Sequence, residues 1–176
     1  NTTLILYEVL KSSTPLQLEL LPLSSSRDFH QLSHANDDIG KQYLFEDGIY
    51  RTLNYQGGAE IFISVPKAEF IEQQGWYYNF EYTKERYRGL DFREDLYSHG
   101  KFTVKLKEGD TLGIIISTED HEQKNAFRLF SAEKKRREKV VREFSWDNDL
   151  KNLALAADQF IVKRGELLTV IAGYHW

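Results

Sequence analysis

Cysteine is absent from the 176 residues, and so is methionine. The first absence excludes disulfides, thiolate metal sites, a cysteine nucleophile and iron–sulfur chemistry, and it fits a reducing compartment, so a cytoplasmic location is expected. No apolar run approaches the ~20 residues of a membrane helix, and no charged stretch followed by an apolar one opens the chain as a signal peptide would. A basic surplus is also missing: 27 Asp and Glu stand against 23 Lys and Arg, for a formal net charge of -4. Phosphate backbones and anionic surfaces recruit proteins through such a surplus, so neither nucleic acid nor a membrane is expected as a partner. An initiator Met is ordinarily retained before a residue as large as Asn1, so the chain reads as a piece of a longer protein.

What is present is a core. The hydrophobic share is 41%, with 24 aromatic residues (10 Tyr, 11 Phe and 3 Trp), enough for a chain of this length to bury about 70% of its unfolded surface without staples. Strand signals dominate the first two thirds. Residues 4–9 are apolar on both faces, which predicts a buried strand. Leu16, Leu18 and Leu20 alternate with Gln17 and Glu19, so the two segments read as a hairpin around Ser12-Ser13-Thr14-Pro15. Polar residues from Ser24 to Gln42 predict a long surface loop with at most a short helix. Strands resume at 50–55, 59–65 and 76–82, with breaks at Gly57-Gly58, Pro66 and Gly75. Phe102, Val104 and Leu106 alternate with the outward Lys101, Thr103, Lys105 and Lys107 before Glu108-Gly109-Asp110, predicting a hairpin with 112–117.

From Glu119 the period turns helical. Residues 119–143 carry 15 Asp, Glu, Lys, Arg or His among 25, the composition of a solvated helix or pair of helices. Asp147 is placed to cap a second helix running to Phe160 or Ile161, with Gly165 as its stop. The apolar run 167–172 then leads into Gly173-Tyr174-His175-Trp176. The pattern predicts a mainly β protein: an antiparallel β-sandwich over 1–117, a helical linker over 118–165, and a final segment, 166–176, belonging to something else.

Several residue sets invite chemistry. His30 and His34 would share one face of a helix, at metal-ligand spacing, but no third ligand accompanies them. A calcium loop counted from Ala35 places Gly40 sixth and Glu46 twelfth, yet Ala35 and Ile39 stand where carboxylates are required. No metal and no cofactor are therefore expected. Glu81, Glu85, Asp91, Glu94 and Asp95 offer carboxylate pairs for acid–base work, while Arg86, Arg88 and Arg93 beside them favour ion pairing. Trp76, Tyr77, Tyr78, Phe80 and Tyr82 make an aromatic strand, half of it facing the core, and the other half able to stack on sugar rings. Lys134-Lys135-Arg136-Arg137-Glu138-Lys139 has Glu133, Glu138 and Glu143 as helical neighbours, the pattern of a solvated, self-paired face. No nucleophile-elbow or phosphate-cradling glycine motif occurs.

The stretch from Ala156-Ala157-Asp158-Gln159-Phe160-Ile161-Val162-Lys163-Arg164 to Thr169-Val170-Ile171-Ala172-Gly173-Tyr174-His175-Trp176 resembles the segment leading into the catalytic barrel of bacterial and archaeal glycogen debranching enzymes of the amylo-α-1,6-glucosidase type. Leu18-Glu19-Leu20-Leu21-Pro22-Leu23 with Arg27-Asp28-Phe29-His30 is similar to that family's N-terminal β domain. So is Trp76-Tyr77-Tyr78-Asn79-Phe80 with the run from Glu85-Arg86-Tyr87 to Glu94-Asp95-Leu96. The resemblance implies the later part of a larger sandwich, joined to an (α/α) barrel that starts with residues 166–176 and cleaves α-1,6 branch points of glycogen with inversion. Such an enzyme uses an acid and a base about 6.5 to 9.5 Å apart. The barrel's carboxylates and the acidic-Trp-Gly-Arg-Asp continuation past Trp176 are not in this sequence, and His175 stands where many relatives carry Pro. The implied partners are the barrel of the same polypeptide and a branched α-glucan. Tyr174 and Trp176 are the candidates for substrate contact, with interdomain packing as the competing role, and no catalytic residue is expected here. The competing readings are a free-standing carbohydrate-binding module using Trp76, Tyr78 and Tyr82, and an interaction scaffold using the basic helix.

Overall fold

The computed structural model describes residues 2–28, 30–120, 124–144 and 147–173. It divides into two units, 1–126 and 127–176.

The first unit is an antiparallel β-sandwich. One sheet has the order β1-β8-β5-β4-β3, built from β1 (Thr2–Glu8), β3 (Tyr43–Glu46), β4 (Ile49–Thr52), β5 (Ile61–Ser64) and β8 (Thr111–Ser117). The other has the order β2-β7-β6, from β2 (Leu16–Leu20), β6 (Glu69–Glu81) and β7 (Arg93–Leu106), with the short helix α1 (Thr83–Tyr87) joining the last two. Side chains two apart on each strand share a face. Tyr50, Ile63, Leu112 and Ile114 of the larger sheet thus meet Phe102, Val104 and Leu106 of the smaller one, with Val65 completing the buried cluster. Phe70, Tyr50 and Phe102 pack with ring centroids 5.1 to 5.8 Å apart.

Both predicted hairpins are in fact connections from one sheet to the other. β1 pairs with β8 and β2 pairs with β7. The two links lie side by side, tied by Val9 N–H to the Asp110 carbonyl and Gly109 N–H to the Val9 carbonyl, both 2.9 Å. β1 is also an edge strand and only half-buried, because its one neighbour is β8. A hairpin not anticipated joins β3 to β4 through Asp47 (φ 50°) and Gly48 (φ 77°), the two left-handed positions that a tight two-residue turn requires. Gly75 does not end a strand. It lies inside β6, next to a register shift between Glu72 and Gly75.

The second unit holds α2 (Ala126–Val140, whose first residue belongs to the first unit), a 3₁₀ turn at Arg142–Phe144, α3 (Asn148–Asp158), and a hairpin of β9 (Ile161–Arg164) and β10 (Leu167–Val170). Asp147 caps α3 as expected, its Oδ1 accepting from the N–H groups of Asp149 and Leu150 at 2.8 and 3.0 Å. α2 begins seven residues later than the charge pattern suggested. α3 stops at Asp158, and Gly165, with φ 61°, turns the β9–β10 hairpin instead of ending a helix.

Candidate functional site

Of the acidic cluster, Glu94 has the least exposed side chain: its relative exposure is 0%. An isolated carboxylate could not be held there. Arg27 supplies a two-pronged partner, Nε to Oε1 and Nη2 to Oε2, the latter 3.1 Å. The Ser33 N–H donates to Oε1 at 3.0 Å, and the Tyr82 hydroxyl donates to Oε2. Burial pushes the Glu94 carboxyl up, but the donors from Arg27, Tyr82 and Ser33 outweigh it, and the net position is below the ordinary range. Asp95 is used in the same way, accepting from the N–H groups of Ala35 and Asn79 at 3.0 and 2.9 Å. Those two contacts hold it below the ordinary range. Adjacent residues of β7 thereby fasten the 24–36 segment to the three-stranded sheet. A carboxylate with its lone pairs filled by fixed donors is poorly suited to carry protons.

The expected neighbours of this cluster fall elsewhere. Arg86 and Arg93 reach Glu81 at 3.4 and 3.0 Å on the surface, and Asp91 accepts from the Phe92 N–H. Arg27, 67 positions away in sequence, is the residue that serves Glu94. His30 and His34 do not share a helix face, since residues 30–36 form no helix. His30 bonds to Asp28, and His34 Nδ1 lies 3.9 Å from Asp95. Among the described residues no three His, Cys, Asp or Glu side chains gather as a metal site.

The aromatic strand splits between uses. Trp76 packs edge-on against Tyr97 at 5.2 Å, Tyr82 is committed to Glu94, and Tyr78 is 63% exposed. A sugar platform made of all three is not formed. On α2, Arg136 is shared by Glu133 and by Asp158 of α3, and Arg137 also reaches Glu133 at 2.8 Å. Hydrogen bonds from Arg136 and then Arg137 bring Glu133 down to about 2. These basic residues are therefore paired. Tyr174 and Trp176 lie outside the described residues.

A cavity of about 430 Å³ lies between the sheets, a feature the sequence did not announce. Its floor is the inward face of the larger sheet (Ile5, Ile61, Ile63, Ile114, Ile116) and its other wall is formed by residues 20–24 and 97–99 with Phe102. The smaller sheet is irregular at this level. Between Leu20↔Phe102 and Ser24↔Tyr97 the edge strand leaves its ladder, Ser98 Oγ bonds to both the carbonyl and the N–H of Gly100, and β6 shifts register opposite. Gly100 permits this approach, because a Cβ there would sit 2.2 Å from the Ile71 carbonyl oxygen. A sealed, dry void of this volume would cost on the order of 10 kcal/mol, comparable to the stability of a whole domain. The half-exposed Tyr7, Leu21 and Leu23 mark its opening to solvent.

The polar side chains of the wall are mostly satisfied within the protein. The Gly40 carbonyl can only accept, so His99 Nε2 donates to it at 2.8 Å and Nδ1 accepts from the Tyr50 hydroxyl at 2.7 Å. Burial holds the His99 pKa below its ordinary 6.5. Thr52 donates to the Gln42 carbonyl at 3.0 Å, and Asn54 Nδ2 to Ser24 Oγ at 2.5 Å. Asn54, fully buried, keeps one buried atom without a partner, Oδ1. Among the described residues no carboxylate lines the cavity.

No helix among the described residues is long and apolar enough to cross a membrane. Searches of curated proteins and of solved structures return no significant match. The family described as glycogen debranching enzyme N terminal matches residues 1–113, most of the sandwich. The chain belongs to that family.

Proposed function

We propose that this chain is the non-catalytic N-terminal part of a cytoplasmic glycogen debranching enzyme that hydrolyses α-1,6 branch points, and that it braces a catalytic barrel carried elsewhere on the same polypeptide. The observation that supports this reading best is the apolar face of the β9–β10 hairpin. Ile161 pairs with Val170 and Lys163 with Leu168, so Ile161, Leu168 and Val170 project to one side together with Lys163, and the three apolar residues there are 51%, 74% and 73% exposed. A two-stranded hairpin is marginal on its own, and an apolar stripe of this kind gains stability when a partner covers it. The barrel is the occupant this reading assigns. Tyr174 and Trp176 follow directly and would contact glucan at the barrel mouth, through ring stacking on a pyranose.

The test is docking in trans. A separately produced barrel should be captured by the chain, and Leu168→Lys combined with Val170→Lys should weaken that capture at least about tenfold while the sandwich stays folded by circular dichroism. Undiminished capture by the double variant would refute the assignment of this face. The carbohydrate-binding-module alternative predicts instead that the chain alone binds branched glucan and that Trp76→Ala abolishes the binding.

A further inference from the structure

The sandwich has edge strands β1 and β3 in its larger sheet, β2 and β6 in its smaller one. An open edge is a template for another strand, and proteins guard theirs with charge, proline, shortness or bulges. Three of these edges are guarded. β2 carries Glu19, paired with Lys101 at 2.7 Å, and lies between Pro15 and Pro22. β3 has four residues and ends in Glu46. β6 carries Glu69, Glu72 and Glu81 and shifts register twice. β1 has no such guard: from Thr2 to Tyr7 it holds no charge, proline or glycine, and its pairing with β8 runs from Thr2 to Glu8 without a shift. The direction of its backbone groups follows from Val9, whose N–H and carbonyl both turn to the 109–110 link. Successive residues of a strand turn these groups to opposite sides, so Thr3, Ile5 and Tyr7 bond to β8, while Leu4, Leu6 and Glu8 turn theirs to the open edge. The far side of β8 agrees. Val65 N–H turns to the Gly48 carbonyl, so Ser64 and its partner Ile115 face each other, leaving Ile114 to face its own partner Ile5.

We propose that the open edge of β1 is a self-association surface, on which β1 of a second copy pairs antiparallel about a two-fold axis through Ile5 and joins the two larger sheets into one. In this register Leu4 exchanges backbone bonds with Leu6 of the second copy, and Ile5 meets its own counterpart at a non-hydrogen-bonded pair. Glu8 lies opposite Thr2, so no like charges oppose each other. Self-complementarity is what names the occupant. A two-fold contact requires one patch to suit itself, and a neutral, apolar strand does so. The pairing also sets Tyr7 of each copy opposite Thr3 of the other, beside the cavity opening marked by Tyr7, Leu21 and Leu23, and covers apolar surface that a single copy leaves to solvent. This edge belongs to the first unit and the barrel-docking hairpin to the second, so either reading can fail without the other.

Sedimentation equilibrium of the 176-residue chain should show monomer and dimer in exchange, with the dimer predominant at about 100 μM, as a micromolar Kd requires. Leu6→Pro removes only an N–H turned to the open edge, where proline is tolerated. The variant should stay folded by circular dichroism and associate at least about tenfold more weakly. Cysteine substitution decides the matter even if that variant does not fold, because the chain has no cysteine of its own. Ile5→Cys, at the axis, should cross-link the dimer on mild oxidation, since residues opposed there lie within disulfide reach. Thr3→Cys, opposite Tyr7 and not itself, should not. A monomer at every concentration, growth past the dimer, undiminished association of a folded Leu6→Pro chain, no cross-link at Ile5, or a cross-link formed as readily at Thr3 would each overturn the proposal.

Discussion

The two units of the chain differ in what they keep from water. In the sandwich, Val65 and Phe102 are 0% and 1% exposed, and even the charged Glu94 is fully enclosed. In the second unit no described residue is fully buried. Arg136 of α2 reaches Asp158 of α3 through a half-exposed ion pair, and the hairpin of this unit shows isoleucine, leucine and valine to solvent. Burial of apolar area is the main favourable term in folding, so the first unit carries its own stability and the second does not. A unit without a core of its own is suited to be completed by a neighbour.

The sharpest break of this comparison is to separate the halves. A peptide of residues 127–176 should lose most of its helix and strand signal in far-ultraviolet circular dichroism, whereas residues 1–126 should unfold cooperatively in urea. A cooperative transition in the peptide would erase the distinction. Next in size is Phe102→Ala, which removes a fully enclosed ring and should cost the sandwich about 3 to 5 kcal/mol in urea denaturation.

Glu94→Ala comes third. It strands the Arg27 guanidinium and leaves the Tyr82 hydroxyl and Ser33 N–H without their acceptor, at a cost of about 3 kcal/mol. The same groups set a pH dependence. His99 and Glu94 both have folded-state pKa values below the unfolded ones, so the unfolded chain binds more protons in those windows and stability is lost as pH falls through them. The sandwich should weaken as pH drops from about 6.5 through the lowered His99 value, and again below about 4.5 as Glu94 takes up its proton. Midpoints measured from pH 8 to 3 check this, and Glu94→Gln should flatten the lower step. Smallest is Arg136→Ala in the second unit. Despite the depressed Glu133, the pair is about half exposed and screened by water, so removal should cost under about 1 kcal/mol.

Strand positions were largely legible in the sequence, because alternation at period two marks them wherever one face is buried. The Asp147 cap was legible for a similar local reason: a side-chain oxygen immediately precedes a helical period. Which strands pair was not legible. The turns at Ser12–Pro15 and Glu108–Asp110 have the same chemistry whether the chain returns to its own sheet or crosses to the facing one, and only the second choice brings Leu18 and Val104 together. Asp47-Gly48 did carry a hairpin signal, and the dipeptide is the clue that would have found β3. The role of Glu94 was hidden because its partner is remote in sequence while three nearer arginines looked equally suitable. The cavity was hidden too, since it lies where the smaller sheet is irregular, at a register shift of β6 and a close approach of Gly100 to the Ile71 carbonyl that no local pattern announces.

On the reading proposed above, these residues brace chemistry performed elsewhere. Its most direct test is glucose release from glycogen limit dextrin by the purified 176-residue chain. No release above the enzyme-free blank is expected at any pH from 4 to 8, and sustained release that scales with the concentration of the chain would overturn the bracing role.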